Sequence, residues 1–331
     1  IKLASFLKTV TPEESVHLMY FLLGRLAPKY VPLEFNFSEK LVVKALDRLF
    51  NTDSSKILGE LGDIGLVVYE LKKGQAAFKS HSVTDIYNDL NNLAILSGKG
   101  SQEGKLDAYI KIISDVDPLS AKFISRIIVG DLRIGFSEKT ILDALSWYIS
   151  GNKSQRELIE TAFGARADIG ELTNLILSTS TTDIEQELKV IKITPLTPVA
   201  SKLVERESSA KAVWARMPNC IVQPKLDGLR GQIHLKEDGT AAIFSRNMES
   251  LTDQFPEIIT SVKALGVSSI ILDSEIIGFD EETNKYRSYQ DTMKRRRKTS
   301  IESYSKDIPV RAMCFDVLYL NGEDLTLKPL E

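Results

Sequence analysis

The stretch NCIVQPKLDGLRGQIHL, residues 219–235, decides how the second half of the chain is read. A short apolar run and a proline precede Lys225, and Asp227, Gly228 and Arg230 stand directly behind it. On periodicity alone, CIVQPK (220–225) predicts a strand, KLDG (225–228) a polar turn, and LRGQIHL (229–235) a second strand with roughly alternating apolar and polar residues. This pattern accounts for the glycine, which lets the backbone approach a ligand or adopt a positive φ. It does not account for a lysine, an aspartate and an arginine gathered at one turn. Lys225 and Arg230 suit phosphate oxygens, and Asp227 can orient the lysine or help to hold a metal ion. A lysine among such groups is also a candidate nucleophile, provided that desolvation or nearby positive charge removes its proton.

Bulk properties narrow the setting. A chain of 331 residues, 43% of them apolar, can fold as two domains with real cores. A formal net charge of -3 excludes a uniformly basic nucleic-acid coat but leaves room for a local basic surface. LSGKGSQEGK (96–105) and MKRRRKTS (293–300) are the segments that would supply one. Cys220 and Cys314 lie far apart without metal-ligand spacing, which fits a reduced compartment and gives no zinc signal. Neither a secretory signal nor a membrane-spanning apolar run is present, so the chain reads as soluble, intracellular and without a membrane partner.

The pattern changes near residue 190. Before it, EESVHLMYFLLGRLAP, SEKLVVKALDRLF, VTDIYNDLNNLAILSG, KLDAYIKIISDV, PLSAKFISRIIVGDL and SEKTILDALSWYIS place apolar residues three or four apart. Several of these runs start after Thr, Ser, Pro or Asp and stop near Gly or Pro, as helices do. Residues 1–193 are therefore expected to form an all-α domain. The prolines of IKITPLTPVA (191–200) suit a connector. Residues 194–331 then read as an α+β domain with antiparallel sheets, from LRGQIHL, AAIFSR, SIILDSEIIGFD and VRAMCFDVLYL, with a helix at FPEIITSVKAL.

Three downstream segments bear on the lysine turn. In ILDSEIIGFD, alternation puts Asp273 and Glu275 on one face of an apolar strand, which costs desolvation energy unless a cation or donor meets them. Arg246 in SRNMES is either a solvated strand-end arginine or a phosphate ligand. Phe315 in MCFDVLYL is either core or one wall of a base-binding pocket.

Taken in order, VQPKLDGLRGQ, FSRNMES, ILDSEIIGFD and CFDVLYLNGE resemble the nucleotidyltransferase (adenylation) domain of ATP-dependent DNA ligases of the archaeal and eukaryotic replicative type. The helical half is similar to that family's DNA-binding domain in SGKGSQEGK, RIIVGDLRIGFSEKTILDALS and the connector TPLTPVA. RNA ligases and capping enzymes share the lysine motif and are the rival enzymes, whereas GDLRIG is more specific. A non-catalytic DNA-binding fragment is the rival of a different class.

The resemblance implies that Lys225 attacks the α-phosphorus of ATP to form a lysyl-adenylate, and that the adenylyl group then activates the 5'-phosphate of a DNA nick for sealing. It implies nucleotide contacts for Gln223, Arg230, Arg246, Glu275 and Phe315, with Phe315 stacking on adenine and Glu275 also helping to place Mg2+. It implies DNA contacts for Asp227 near the 3' side of the nick, for Lys99, Ser101 and Arg133 of the helical domain, and for Arg295 and Arg296. The run Lys294, Arg295, Arg296, Arg297 and Lys298 is read as a folded, DNA-facing surface rather than an address tag. GDLRIG has a plainer reading as a helix end with a buried Asp–Arg pair. Nicked duplex DNA and a sliding clamp are the implied partners of a monomeric enzyme, cytoplasmic in an archaeon or bacterium and nuclear in a eukaryote.

Two departures stand out. Family members commonly carry an acidic residue where this chain has Gln223. The sequence stops at LTLKPLE, before the family's later glutamate motif, lysine-containing strand and C-terminal OB domain, so a truncated piece that binds DNA without sealing it is expected.

Overall fold

A computed structural model describes residues 1–75, 78–201, 204–297 and 301–329. Its contacts form two units, Ile1–Phe163 with Asp168–Val190, and Gly164–Ala167 with Ile191–Glu331.

The first unit is helical throughout its described residues. Its main helices are Pro12–Leu22, Glu39–Phe50, Ile64–Lys72, Val83–Ile95, Ser101–Asp115, Pro118–Val129 and Glu138–Ser150. Side chains answer the open amides at their starts: Thr11, Asp63, Asp117 and Ser137 each accept from a first-turn N–H, and Ser82 with Asp85 forms a reciprocal capping box. The apolar faces meet in one core that includes Val42, Leu46, Val67, Leu90, Leu106, Tyr109 and Ile113.

Asp63 does more than cap. It accepts from the Leu66 amide at 2.8 Å and from Arg126 Nε and Nη2 at 3.2 and 2.9 Å, so a buried carboxylate and a buried guanidinium satisfy one another. The geometry requires Gly65, because a Cβ there would stand 2.8 Å from Arg126 Nε.

The second unit is built on an antiparallel sheet of six strands: β1 (Leu229–Leu235), β2 (Ala241–Ser245), β3 (Ile270–Asp280), β4 (Lys285–Tyr286), β5 (Val310–Leu320) and β6 (Glu323–Asp324). The order is β2-β1-β3-β5-β6, and β4 pairs with β3 off this path. The helix Pro256–Lys263 covers one face, and Ile258 and Val262 pack with Ile233, Ile243, Phe255, Leu272 and Ile276. This is the helical domain followed by an antiparallel α+β domain that the sequence predicts.

The structure differs from the expected strands at one decisive place. Residues 219–227 belong to no strand, and β1 begins only at Leu229. Pro224 lacks an amide to donate, and Ile221 and Val222 are exposed at 56% and 84%, so the apolar run finds no sheet to bury against. The chain also forms an unexpected helix, Ala210–Arg216, which has no buried residue.

The proline-rich connector is fastened to β1. The Leu196 amide donates to His234 Nδ1 at 3.1 Å, the Val199 amide donates to Gln232 Oε1 at 2.7 Å, and Gln232 Nε2 donates back to the Val199 carbonyl at 3.3 Å. His234 Nδ1 therefore accepts, and its proton sits on Nε2, 2.9 Å from Gln232 Oε1.

Burial holds the His234 pKa down at about 3, well below the ordinary imidazole value. The folded value lies below the unfolded one, so the unfolded chain binds the extra proton between them. Stability from this group is whole above the unfolded pKa and is lost as pH falls towards the folded one. Going from pH 7 to pH 5 should cost the second unit about 2 kcal/mol through His234. Urea unfolding at the two pH values, compared with His234→Asn, measures that part: the variant should lack it.

Candidate active site

β1 and β3 bring the lysine turn and the acidic strand together. Their register sets Arg230 opposite Glu275 and Gln232 opposite Asp273, so the carboxylates of β3 share a face with Arg230. Arg230 reaches diagonally, donating from Nε to Asp273 Oδ1 at 2.8 Å and from Nη2 to Oδ2. Asp273 is buried, so this forked pair supplies the cation that a carboxylate in an apolar strand requires. Glu275 has a different partner: its Oε1 accepts from the Gly228 amide at 3.0 Å. Burial pushes the Glu275 carboxyl above its ordinary pKa, against the pull of the Gly228 amide and the nearby Lys225 and Arg230 charges.

Gly228 is needed here for its fit against the sheet. Its φ is not positive. A Cβ at Gly228 would stand 2.5 Å from the Ile276 carbonyl oxygen and 2.7 Å from Ile277 Cγ1. Glycine thus lets the chain enter β1 pressed against β3.

Lys225 lies just ahead of this entry point and is exposed, as are Gln223 and Asp227. Gln223 Nε2 donates to the backbone carbonyl of Phe315 at 3.3 Å. The β3–β5 register slips between Asp273/Ser274, where β5 partners jump from Asp316 to Cys314 and leave Phe315 as the bulged residue. The Phe315 side chain is 38% exposed beside a depression that Cys314, Val317, Leu325 and Lys328 also line. Lys225, Gln223, Arg230, Glu275 and Phe315 are therefore gathered on neighbouring elements of one unit. Arg246 is exposed immediately after β2, in a turn whose Ser245 amide donates to the Glu249 carbonyl at 2.8 Å.

These groups fit a nucleotide: an exposed aromatic ring, an amide oxygen, an exposed lysine and a carboxylate lie where the chain enters β1 and along the middle of β3 and β5. For Mg2+ the fit is partial. No group of three or more His, Cys, Asp or Glu that could hold a metal stands together among the described residues. Glu275 and Asp227 can contribute one or two carboxylates, the number Mg2+ takes when phosphate oxygens and water complete its shell.

In the helical unit, Lys99 is exposed between Gly98 and Gly100, both at positive φ, and Ser101 begins the helix Ser101–Asp115. Arg133 has φ +54 and is half exposed, but it is already engaged: it donates to Asp131 Oδ2 at 2.7 Å and the Gly62 carbonyl at 3.1 Å, and lies 3.0 Å from Asp63. GDLRIG is a helix end, with Gly130 in the left-handed conformation after Val129. The buried Asp–Arg pair beside it is Asp63–Arg126, whereas Asp131–Arg133 is open to solvent.

The basic run of the second unit requires a correction. Arg295 does not face outward. Its side chain is fully buried, donating from Nη1 to the Ile308 carbonyl at 2.8 Å and from Nη2 to the Gln254 carbonyl at 2.8 Å and to Ser305 Oγ at 2.9 Å, and it pairs with Glu257 at 2.7 Å. A guanidinium spent on interior carbonyls has no donor to offer DNA. Arg296 is partly exposed and paired with Glu249. Lys298 lies outside the described residues.

A helical unit followed by an antiparallel α+β unit is the domain architecture of ligases that carry an adenylation domain. Sequence comparison agrees: residues 2–146 match the DNA ligase N terminus family, and residues 201–331 match the ATP dependent DNA ligase domain family. The chain belongs to the ATP-dependent DNA ligase family. It is 36% identical over 331 residues to a probable DNA ligase of Dictyoglomus turgidum, covering 99% of this chain and 56% of that protein. It is 34% identical to a probable DNA ligase of Persephonella marina (99% and 56%) and 33% identical to a DNA ligase of Saccharolobus solfataricus (95% and 54%). The chain thus spans about half the length of the curated relatives it matches. No helix among the described residues is long and apolar enough to cross a membrane.

Replacing Arg295 tests its place directly. Arg295→Ala should lower the unfolding free energy of the second unit by about 3–5 kcal/mol, because Glu257 and two carbonyls lose a buried cation. At a temperature where the variant remains folded, its affinity for duplex DNA should match the parent protein, as measured by fluorescence anisotropy.

Proposed function

We propose that the chain is the DNA-binding and adenylating part of an ATP-dependent DNA ligase, which seals 5'-phosphate/3'-hydroxyl nicks in duplex DNA through a lysyl-AMP. The observation that carries this reading is the gathering of Lys225, Gln223, Glu275 and Phe315 between the entry to β1 and the middle of β3 and β5 in the second unit.

In this reading Nζ of neutral Lys225 attacks the α-phosphorus of ATP. A P–N bond forms, the bond to the β-phosphate oxygen breaks, and pyrophosphate leaves. The 5'-phosphate of the nick then takes the adenylyl group from the lysine, and the 3'-hydroxyl displaces AMP. Each step is phosphoryl transfer, in which positioning and cationic charge at the developing oxyanions supply most of the acceleration. Phe315 offers its ring to the adenine, Gln223 Oε1 accepts from the base amine, and Glu275 meets the nucleotide sugar. Arg246 is placed for phosphate at the β2 end. Glu275 and Asp227 are the residues that would hold Mg2+, which when bound would supply charge neutralisation at the phosphates. Arg230 is already forked to Asp273, so its part is to fix the face of β3 and present a partly neutralised cation.

The helical unit takes duplex DNA through phosphate contacts at the Gly98–Gly100 loop and the Arg133 turn, with little sequence preference. The finer placement, among replicative ligases of archaea and eukaryotic nuclei, rests on that helical half and its GDLRIG turn. In isolation these 331 residues are expected to bind nicked duplex without sealing it.

Intact mass after incubation with ATP and Mg2+ should rise by one adenylyl group, and Lys225→Ala should show no gain. Absence of the gain from the folded parent protein would favour a purely DNA-binding piece. For DNA, Lys99→Ala should weaken nicked-duplex binding alike across sequences and reduce the slope of log affinity against log salt by about one. An unchanged slope would remove Lys99 from the phosphate contacts.

A further inference from the structure

The segment carrying Lys225 is suspended. Residues 219–227 belong to no strand, and most of their side chains are exposed. Among the described residues, two hydrogen bonds tie this segment and its exit to the sheet, one on each side of the lysine. Upstream, Gln223 Nε2 donates to the Phe315 carbonyl at 3.3 Å. Downstream, the Gly228 amide donates to Glu275 Oε1 at 3.0 Å. The downstream tie is reinforced by the close seat of Gly228 on β3, where no Cβ fits. The upstream tie has no such backing: Pro224 removes one amide, and Ile221 and Val222 stand in solvent.

The acceptor of the upstream tie lies at the bulge. Phe315 is the extra residue of β5 between the pairs Asp273↔Asp316 and Ser274↔Cys314, and its carbonyl takes the Gln223 donor. An amide side chain suits this carbonyl. Glutamine presents an N–H to it and keeps a carbonyl oxygen for another partner, whereas a carboxylate would set acceptor against acceptor.

We infer that Gln223 is a positioning residue for Lys225: its amide donor latches the nucleophile segment to the β5 bulge, tying the lysine to the element that carries the Phe315 ring. The inference rests on the lysine chemistry proposed above for its consequence, but the latch itself is a property of the fold. Its consequence is that nucleotide stacking on Phe315 and placement of Lys225 are mechanically linked. A displaced bulge moves the lysine.

Hydrogen exchange of the whole chain, with Gln223→Ala and Gln223→Glu, separates the two levels. Both variants should exchange faster across 219–227 while peptides from β1 and β3 keep their protection, and far-ultraviolet circular dichroism should confirm that they fold. Parent-like exchange in both variants overturns the latch, whether or not the chain accepts AMP. Lysine adenylation by the parent protein then supplies the second readout. Loss of the latch should slow single-turnover adenylation about three- to tenfold in both variants, while the ATP concentration for half-maximal rate should rise in Gln223→Ala, which also loses the acceptor for the base. If Gln223 served only as an acceptor for the base, Gln223→Glu would keep the parent rate, which also overturns the proposal. Failure of the parent itself to adenylate counts against the lysine chemistry and leaves the exchange result standing.

Discussion

At Gly228 the chain enters β1 so close to β3 that an added Cβ would lie 2.5 Å from the Ile276 carbonyl oxygen. That contact sets the register that follows, and the register places Arg230 against Asp273 and Glu275 on one face. The same approach aims the Gly228 amide at Glu275 Oε1. A side chain at this position would have to push the two strands apart or swing the lysine segment away, and either movement dissolves the site. The glycine of the K-x-D-G-x-R pattern is therefore a packing requirement first, and the chemistry follows from the packing.

Burying polar groups is costly unless each finds a partner, and both units solve this with forked arginines. Arg126 answers Asp63 in the helical unit, where the carboxylate also caps a helix. Arg230 answers Asp273 in the sheet unit. Arg295 answers carbonyls of Gln254 and Ile308 together with Glu257, and so ties the basic segment to the start of the helix Pro256–Lys263 and to the approach to β5. His234 and Gln232 act in the same way for the connector, giving its turned backbone buried partners. In each case a residue whose charge or polarity suggests a ligand is holding the frame.

Much of this frame was legible in the sequence. Apolar spacing of three or four marks the helices because their buried stripes are continuous, and β1, β3 and β5 show as strands because they pair along their length. The need of Asp273 for a cation was legible too, since an acid inside ILDSEIIGFD has to be met by something. What was not legible depends on partners distant in the chain. CIVQPK has the composition of a strand, but a strand also needs a neighbouring backbone, which Leu229 onward finds and residues 220–225 do not. Nothing in KRRRK distinguishes the arginine that turns inward, because its acceptors come from positions 41 and 13 residues away. The Gln223–Phe315 bond was equally hidden, since its partners lie 92 residues apart and meet at a slip in the β3–β5 register.

The charge balance of the proposed site sets what a bound triphosphate would require. Lys225 and Arg230 stand among Asp227, Asp273 and Glu275, two cations against three carboxylates, and Asp273 already takes up Arg230. A triphosphate entering such a surface would meet net repulsion if every acid were ionised. Burial raises the Glu275 pKa against the pull of the neighbouring cations, and a divalent cation would relieve the repulsion by sharing its charge between the carboxylates and the phosphate oxygens. Arg246, exposed at the end of β2, is the next cation the fold offers. On the proposed reading, nucleotide binding here would be favoured by a metal ion and outlying cations drawn in together.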